Sequence, residues 1–146
     1  MYPATGLTVN EDVKADAVPI LDETDLILVR RMLREYSRAA GLGLVDEPKF
    51  ITAGRELARN ILVHTTAKRG EIRVEQVNAT GRRGVKASFI DGGPGILDMN
   101  SALTDGFSTA GSLGLGLPGS RRLVDEMTID SSPESGTVVV ITKWRH

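Results

Sequence analysis

DGGPGILDMNSALTDGFSTAGSLGLGLPG, running from Asp91 to Gly119, places two glycine clusters on either side of a polar loop. Glycine costs backbone entropy wherever it is fixed, so it is expected where a ligand must approach the main chain or where φ must be positive. A carboxylate heads the first cluster, and a helical pattern follows the second. Upstream, Lys49 to His64 reads as a helix with an apolar stripe at Phe50, Leu57, Ile61 and Leu62, and it carries Glu56 and Asn60. Together these features predict a nucleotide site.

Working outward, Val13 to Leu21 alternates loosely and reads as an edge strand interrupted by Pro19. The first twelve residues, polar and mixed, read as disordered. Leu26, Val29, Leu33 and Tyr36 recur at helical spacing between Asp22 and Ala40; Asp22 or Thr24 can cap this helix and Gly41 can end it. GLGLVDEP is a linker to the second helix. Glu71 to Val77 and Val85 to Phe89 alternate around a glycine-containing turn, which predicts an antiparallel hairpin. Gly114 to Glu126 reads as a helix that tolerates Pro118 in its first turn. Met127 to Ser132 and Thr137 to Lys143 read as two last strands joined by SPESG. The resulting order predicts an α+β fold, a two-layer sandwich with helices on one face of a mixed sheet.

Composition narrows the function classes. With 146 residues, 40% hydrophobic and 25% charged, the chain suits one domain, 1–146, around a single core. The absence of cysteine excludes a disulfide framework and thiolate metal sites, and fits a cytoplasmic location. No run of about eighteen apolar residues predicts a membrane span. A net charge of -1 argues against nucleic acid as a partner, and Arg82, Arg83 and Lys86 read as a solvated turn.

Glu56 and Asn60, four apart, project from one helix face, with His64 a turn further on. An asparagine carbonyl is a hard, neutral donor suited to Mg²⁺ beside a polyphosphate. A glutamate can take the proton of an attacking hydroxyl or water. Such a pair in isolation is more often a solvated residue and a local polar contact, and a histidine like His64 is more often structural than a phosphate ligand. Asp91, at a predicted strand end, can accept a hydrogen bond from an exocyclic amino group such as that of adenine, with Gly93 and Gly95 letting the backbone lie against the base; an ordinary Asp-Gly turn is the plainer reading. The main-chain N–H groups after Gly114, Leu115 and Gly116 offer an anion site for triphosphate oxygens.

Better-known nucleotide signatures fail. Gly114, Gly116 and Gly119 satisfy G-x-G-x-x-G, but DGFSTAGS before them is not a strand. There is no P-loop, and the strand lysine, H-R-D and D-F-G set of ordinary protein kinases is missing.

The blocks Glu56-Leu-Ala-Arg-Asn60, Asp91-Gly-Gly-Pro-Gly95, Gly114-Leu-Gly116-Leu-Pro-Gly119 and Gly136-Thr137 resemble the Bergerat ATP-binding fold of the GHKL superfamily, shared by gyrase, histidine kinases and mismatch-repair ATPases. Within it, ELARNI, DGFST, LGLPG, RLVDE and the terminal Lys143-Trp144 are most similar to the RsbT-like serine/threonine switch kinases of the anti-sigma regulatory kinase family. The resemblance runs from about Val18 to Trp144.

It implies a cytoplasmic, Mg·ATP-dependent kinase. Asp91 would bind the adenine amino group, Asn60 the Mg²⁺, and Glu56 would be the catalytic base. Gly93, Gly95, Gly114, Leu115 and Gly116 would shape the pocket, with Thr137 beneath the base. Residues 98–112 would form an ATP lid whose Ser108 and Thr109 approach the terminal phosphate, although Ser112 replaces a frequent glycine. Its implied partners are STAS-domain antagonists of the RsbS and RsbR kind and a PP2C-type phosphatase in a stress-response pathway. The alternative is an anti-sigma factor that sequesters a sigma factor in a nucleotide-dependent way. An excised histidine kinase domain fits less well, because neither His64 nor His146 lies on a phosphoacceptor helix outside the ATP fold.

Overall fold

The computed structural model describes residues 15–64, 69–79, 81–91, 117–132 and 136–146. Their elements are β1 (Ala15–Ile20), α1 (Asp25–Ala39), α2 (Asp46–His64), β2 (Gly70–Ala79), β3 (Arg82–Asp91), α3 (Leu117–Leu123), β4 (Glu126–Ser132) and β5 (Gly136–Trp144). The five strands form one sheet in the order β1-β2-β3-β5-β4, with the helices packed against it.

The α+β expectation holds, but the sheet is antiparallel at every pairing rather than mixed. Two helices separate β1 from β2, and an out-and-back helical excursion returns the chain antiparallel. β2–β3 and β4–β5 are hairpins. β3 and β4 share a direction, since each runs antiparallel to β5, yet β5 lies between them and no parallel pair forms.

Val29, Met32, Leu33 and Tyr36 of α1 and Phe50, Ala53, Leu57 and Ile61 of α2 are buried. They meet inward rows of the sheet: Ile72 pairs with Phe89 and Phe89 with Val139, while Val74 pairs with Ala87 and Ala87 with Ile141. Fully burying each large side chain here stabilises the fold by about 1.5–3 kcal/mol before entropy is counted. Gly54 is the close-approach point between the helices, since a Cβ there would lie 2.5 Å from Leu33 Cδ1.

α1 ends as predicted, in a Schellman arrangement. Gly41 has φ +83, the Gly41 N–H donates to Arg38 O at 3.0 Å, and the Leu42 N–H donates to Ser37 O at 3.0 Å. Its start differs. Thr24 stands at the N-cap without a side-chain cap bond, and Asp25 Oδ2 instead accepts from the backbone N–H groups of Leu21 and Asp22. α2 begins at Asp46, inside the expected linker, with Pro48 in its first turn. Proline needs no intrahelical donor there, so its presence marks a helix start rather than a gap.

The end of the sheet remote from the glycine clusters is tied down by the C-terminal strand. The Lys143 ammonium, nearly buried, lies 3.5 Å from Asp46 Oδ1 and 3.7 Å from Asp125 Oδ1. Trp144 donates through its backbone N–H to Asp125 Oδ2 and through its indole N–H to Glu126 Oε2 at 2.8 Å. Arg82 stacks 4.5 Å from the Trp144 ring centroid, and Arg83 Nη2 donates to Ala39 O at the end of α1. Arg82 and Arg83 are exposed, as the solvated reading expected, but they belong to strand β3 rather than a turn and both make contacts.

Candidate functional site

One transverse row crosses the opposite end of the sheet: Ile20, Gly70, Asp91, Thr137 and Ser131 are successive register partners. Alternation along β3 and β5 puts Asp91 and Thr137 on the same side as buried Phe89 and Val139, facing the helices. A carboxylate in this position is costly unless something polar meets it. Asp91 is only 4% exposed and Thr137 5%. The Thr137 and Ser131 hydroxyls are 3.0 Å apart. Asp91 has other polar contacts, while its Oδ2 atom is buried without a hydrogen bond. The row thus ends in three adjacent polar side chains over an otherwise apolar layer.

α2 lies directly above. A Cβ on Gly70 would stand 3.1 Å from Ile61 Cγ2 and would run into Ile90 O, so glycine at this point lets α2 sit close over the row. Asn60, next to Ile61, is half-buried and has polar contacts of its own. Glu56, one turn earlier, is exposed and makes no hydrogen bond or ion pair among the described residues. It lines a cleft of about 400 Å³ between α1 and α2, together with Leu26, Ile27, Arg30, Arg55 and Arg59. Glu56 and Asn60 therefore share a helix and diverge in environment.

His64 closes α2, and its side chain lies outside the described part. Gly93, Gly95, Ser108, Thr109, Gly114, Leu115 and Gly116, like the expected lid at 98–112 and the first twelve residues, lie outside the described residues. α3 begins at Leu117, immediately after the second glycine cluster, and packs against α2. This brings the chain that leaves the cluster to the helix that carries Glu56 and Asn60.

The sequence reading missed five residues around the site. Ser131 gave no signal, because a strand serine is informative only once its register with Thr137 is known. Gly70 sat just before the expected hairpin, which began at Glu71, and gave no signal of its own. Arg30, Arg55 and Arg59 gave no signal, since nothing in one sequence reveals that two helices bring them to one cleft.

The donor set suits a purine nucleotide with a magnesium ion. A buried carboxylate accepts an amino hydrogen, neighbouring hydroxyls can donate or accept at a base edge, and a half-buried carboxamide offers a hard oxygen without extra negative charge. Among the described residues there is no group of three or more histidine, cysteine, aspartate or glutamate side chains that could hold a metal ion. No described helix is long and apolar enough to cross a membrane.

Comparison with known proteins agrees with this geometry. Residues 45–145, the span from the start of α2 through β5, match the family described as histidine kinase-, DNA gyrase B-, and HSP90-like ATPase. The chain is 42% identical over 127 residues to serine/threonine-protein kinase RsbT of Bacillus subtilis (strain 168), covering 87% of this chain and 94% of that protein. Membership carries the use of ATP with it. The chain belongs to the histidine kinase-, DNA gyrase B- and HSP90-like ATPase family, as an RsbT-like serine/threonine-protein kinase.

Proposed function

We propose that this cytoplasmic kinase transfers the terminal phosphoryl group of Mg·ATP to a serine or threonine of a STAS-domain antagonist. Once released from that antagonist, it engages a PP2C-type phosphatase in a sigma-factor-linked stress response. The observation that supports catalysis most is the placement of Glu56, an unengaged carboxylate in an open cleft one helical turn from Asn60.

Each side chain has a task in this reading. The Asp91 carboxylate accepts a hydrogen bond from the adenine amino group, and Thr137, held by Ser131, supports the base from the sheet. The Asn60 carbonyl oxygen would be a ligand of Mg²⁺, which neutralises phosphate charge when bound. Glu56 accepts the proton of the attacking hydroxyl as the hydroxyl oxygen bonds to the terminal phosphorus and the bond from that phosphorus to the bridging oxygen breaks, releasing ADP. Phosphoryl transfer depends mainly on positioning and charge neutralisation, so a base adds to a rate that the site already supports. Gly93, Gly95, Gly114, Leu115 and Gly116 would shape the pocket, with Ser108, Thr109 and His64 near the phosphates.

Incubating the protein with γ-labelled Mg·ATP, a STAS-domain protein and a sigma factor discriminates the readings. Label on the STAS-domain protein supports the switch kinase. Stable capture of the sigma factor with no label transferred would replace it with a nucleotide-gated anti-sigma factor.

A further inference from the structure

Some arginines are tied to the fold: Arg38 pairs with Glu47, Arg73 with Glu71, and Arg83 with a main-chain carbonyl. The cleft between α1 and α2 gathers three that are not. Arg30, Arg55 and Arg59 converge on it, all exposed, and none makes a hydrogen bond or ion pair among the described residues. Glu56 is the one acidic side chain in its lining, so the wall carries an excess of two positive charges on a chain whose formal net charge is -1.

The floor and rim are apolar. Val29 is buried at the base, while Ile27 is 64% exposed and Leu28, beside it on α1, is 45% exposed. An aliphatic rim with guanidinium groups around it suits a protein surface that brings carboxylates and an apolar anchor together. Guanidinium forks pair with carboxylates bidentately and orient them, which a dispersed positive field does not. No aromatic side chain lines the cleft, so it offers no platform for stacking nucleic-acid bases.

We propose that the α1–α2 cleft is the docking site for an acidic surface segment of the phosphoacceptor protein, which seats an apolar side chain against Leu26 and Ile27 while Arg30, Arg55 and Arg59 hold its carboxylates. The proposal rests on the kinase reading, because Glu56 lies in the same cleft and the docked segment would deliver its neighbouring hydroxyl there. Acceptor selection then resides in helix α1 and the outer side of α2, away from the Asp91 row that takes the base.

The test measures binding separately from transfer. A fluorescently labelled, unphosphorylated STAS-domain protein is titrated by anisotropy with the wild-type protein and with the triple variant Arg30→Glu, Arg55→Glu, Arg59→Glu, and Mg·ATP affinity is measured in both. The expected result is acceptor binding weakened at least tenfold, an acceptor KM raised more than kcat falls, and unchanged Mg·ATP affinity. An oligoglutamate peptide is expected to compete for the wild-type protein where oligolysine does not, which keeps the test valid if the triple variant folds poorly. Unchanged acceptor affinity in a folded triple variant, or no competition by oligoglutamate, overturns the docking site. So does a dimer of this chain that the triple variant dissolves, since the cleft would then be a self-interface. Loss of acceptor binding in the variant with no transfer by the wild type would uphold the docking site and remove the kinase reading instead.

Discussion

Asp91 and Thr137 face each other across the β3–β5 pair, both almost wholly buried and both on the helix side of the sheet. A threonine hydroxyl can be satisfied locally, and Ser131 does so at 3.0 Å. A buried carboxylate asks more of its surroundings, and under the proposed function the nucleotide base is one of the groups that meet it.

Asp91→Asn keeps the volume and removes the acceptor charge. A hydrogen bond to a charged group contributes about 1.5–3 kcal/mol, so ATP affinity is expected to fall roughly ten- to a hundredfold. Isothermal titration with Mg·ATP checks this, with the thermal midpoint of the free protein as control. An unchanged dissociation constant would remove Asp91 from the base site.

Gly54→Ala sets two effects against each other. Alanine is favoured over glycine in a helix by about 1 kcal/mol, whereas overpacking a core costs about 1–3 kcal/mol. Leu33 is fully buried and its Cδ1 would lie 2.5 Å from the new Cβ, so packing wins. The variant is expected to lose about 1 kcal/mol in urea denaturation. In a Leu33→Ala background the same change should be neutral or stabilising; a penalty that persists there would show that the helix contact is not its cause.

Acid stability depends on Asp125. Burial raises its pKa, but the Trp144 backbone N–H, the His146 side chain and the Lys143 charge together outweigh burial and hold the carboxyl below its ordinary value of 3.8. A folded pKa below the unfolded one means that the contribution is complete above about pH 4 and disappears as pH falls through the folded value. Asp125→Asn should therefore be less stable at neutral pH and show a flatter loss of stability on acidification. Parallel acid limbs for the two proteins would contradict this.

Elements were legible in the sequence where periodicity and punctuation agreed. α1 shows this, with Val29, Leu33 and Tyr36 inward and Gly41 at its end. The family was legible because the blocks holding Glu56, Asn60, Asp91 and the glycines keep their order and spacing, and the family match over residues 45–145 bears that resemblance out. Sheet direction was not, because antiparallel order follows from β5 lying between β3 and β4, a non-local fact. The arginine cleft was hidden for the same reason, since Arg30 and Arg59 are far apart in sequence and meet only through helix packing. Arg82 and Arg83 are solvated as expected, but their contacts were not legible because Trp144 and the end of α1 are distant along the chain.

The most direct test concerns Glu56. Single-turnover transfer from γ-labelled Mg·ATP to a STAS-domain protein should fall by about 10²–10⁴-fold in Glu56→Gln, the range a positioned base contributes, with ATP and acceptor affinities within twofold of wild type. Transfer at the wild-type rate by a folded Glu56→Gln protein would contradict the assignment of Glu56 as the catalytic base.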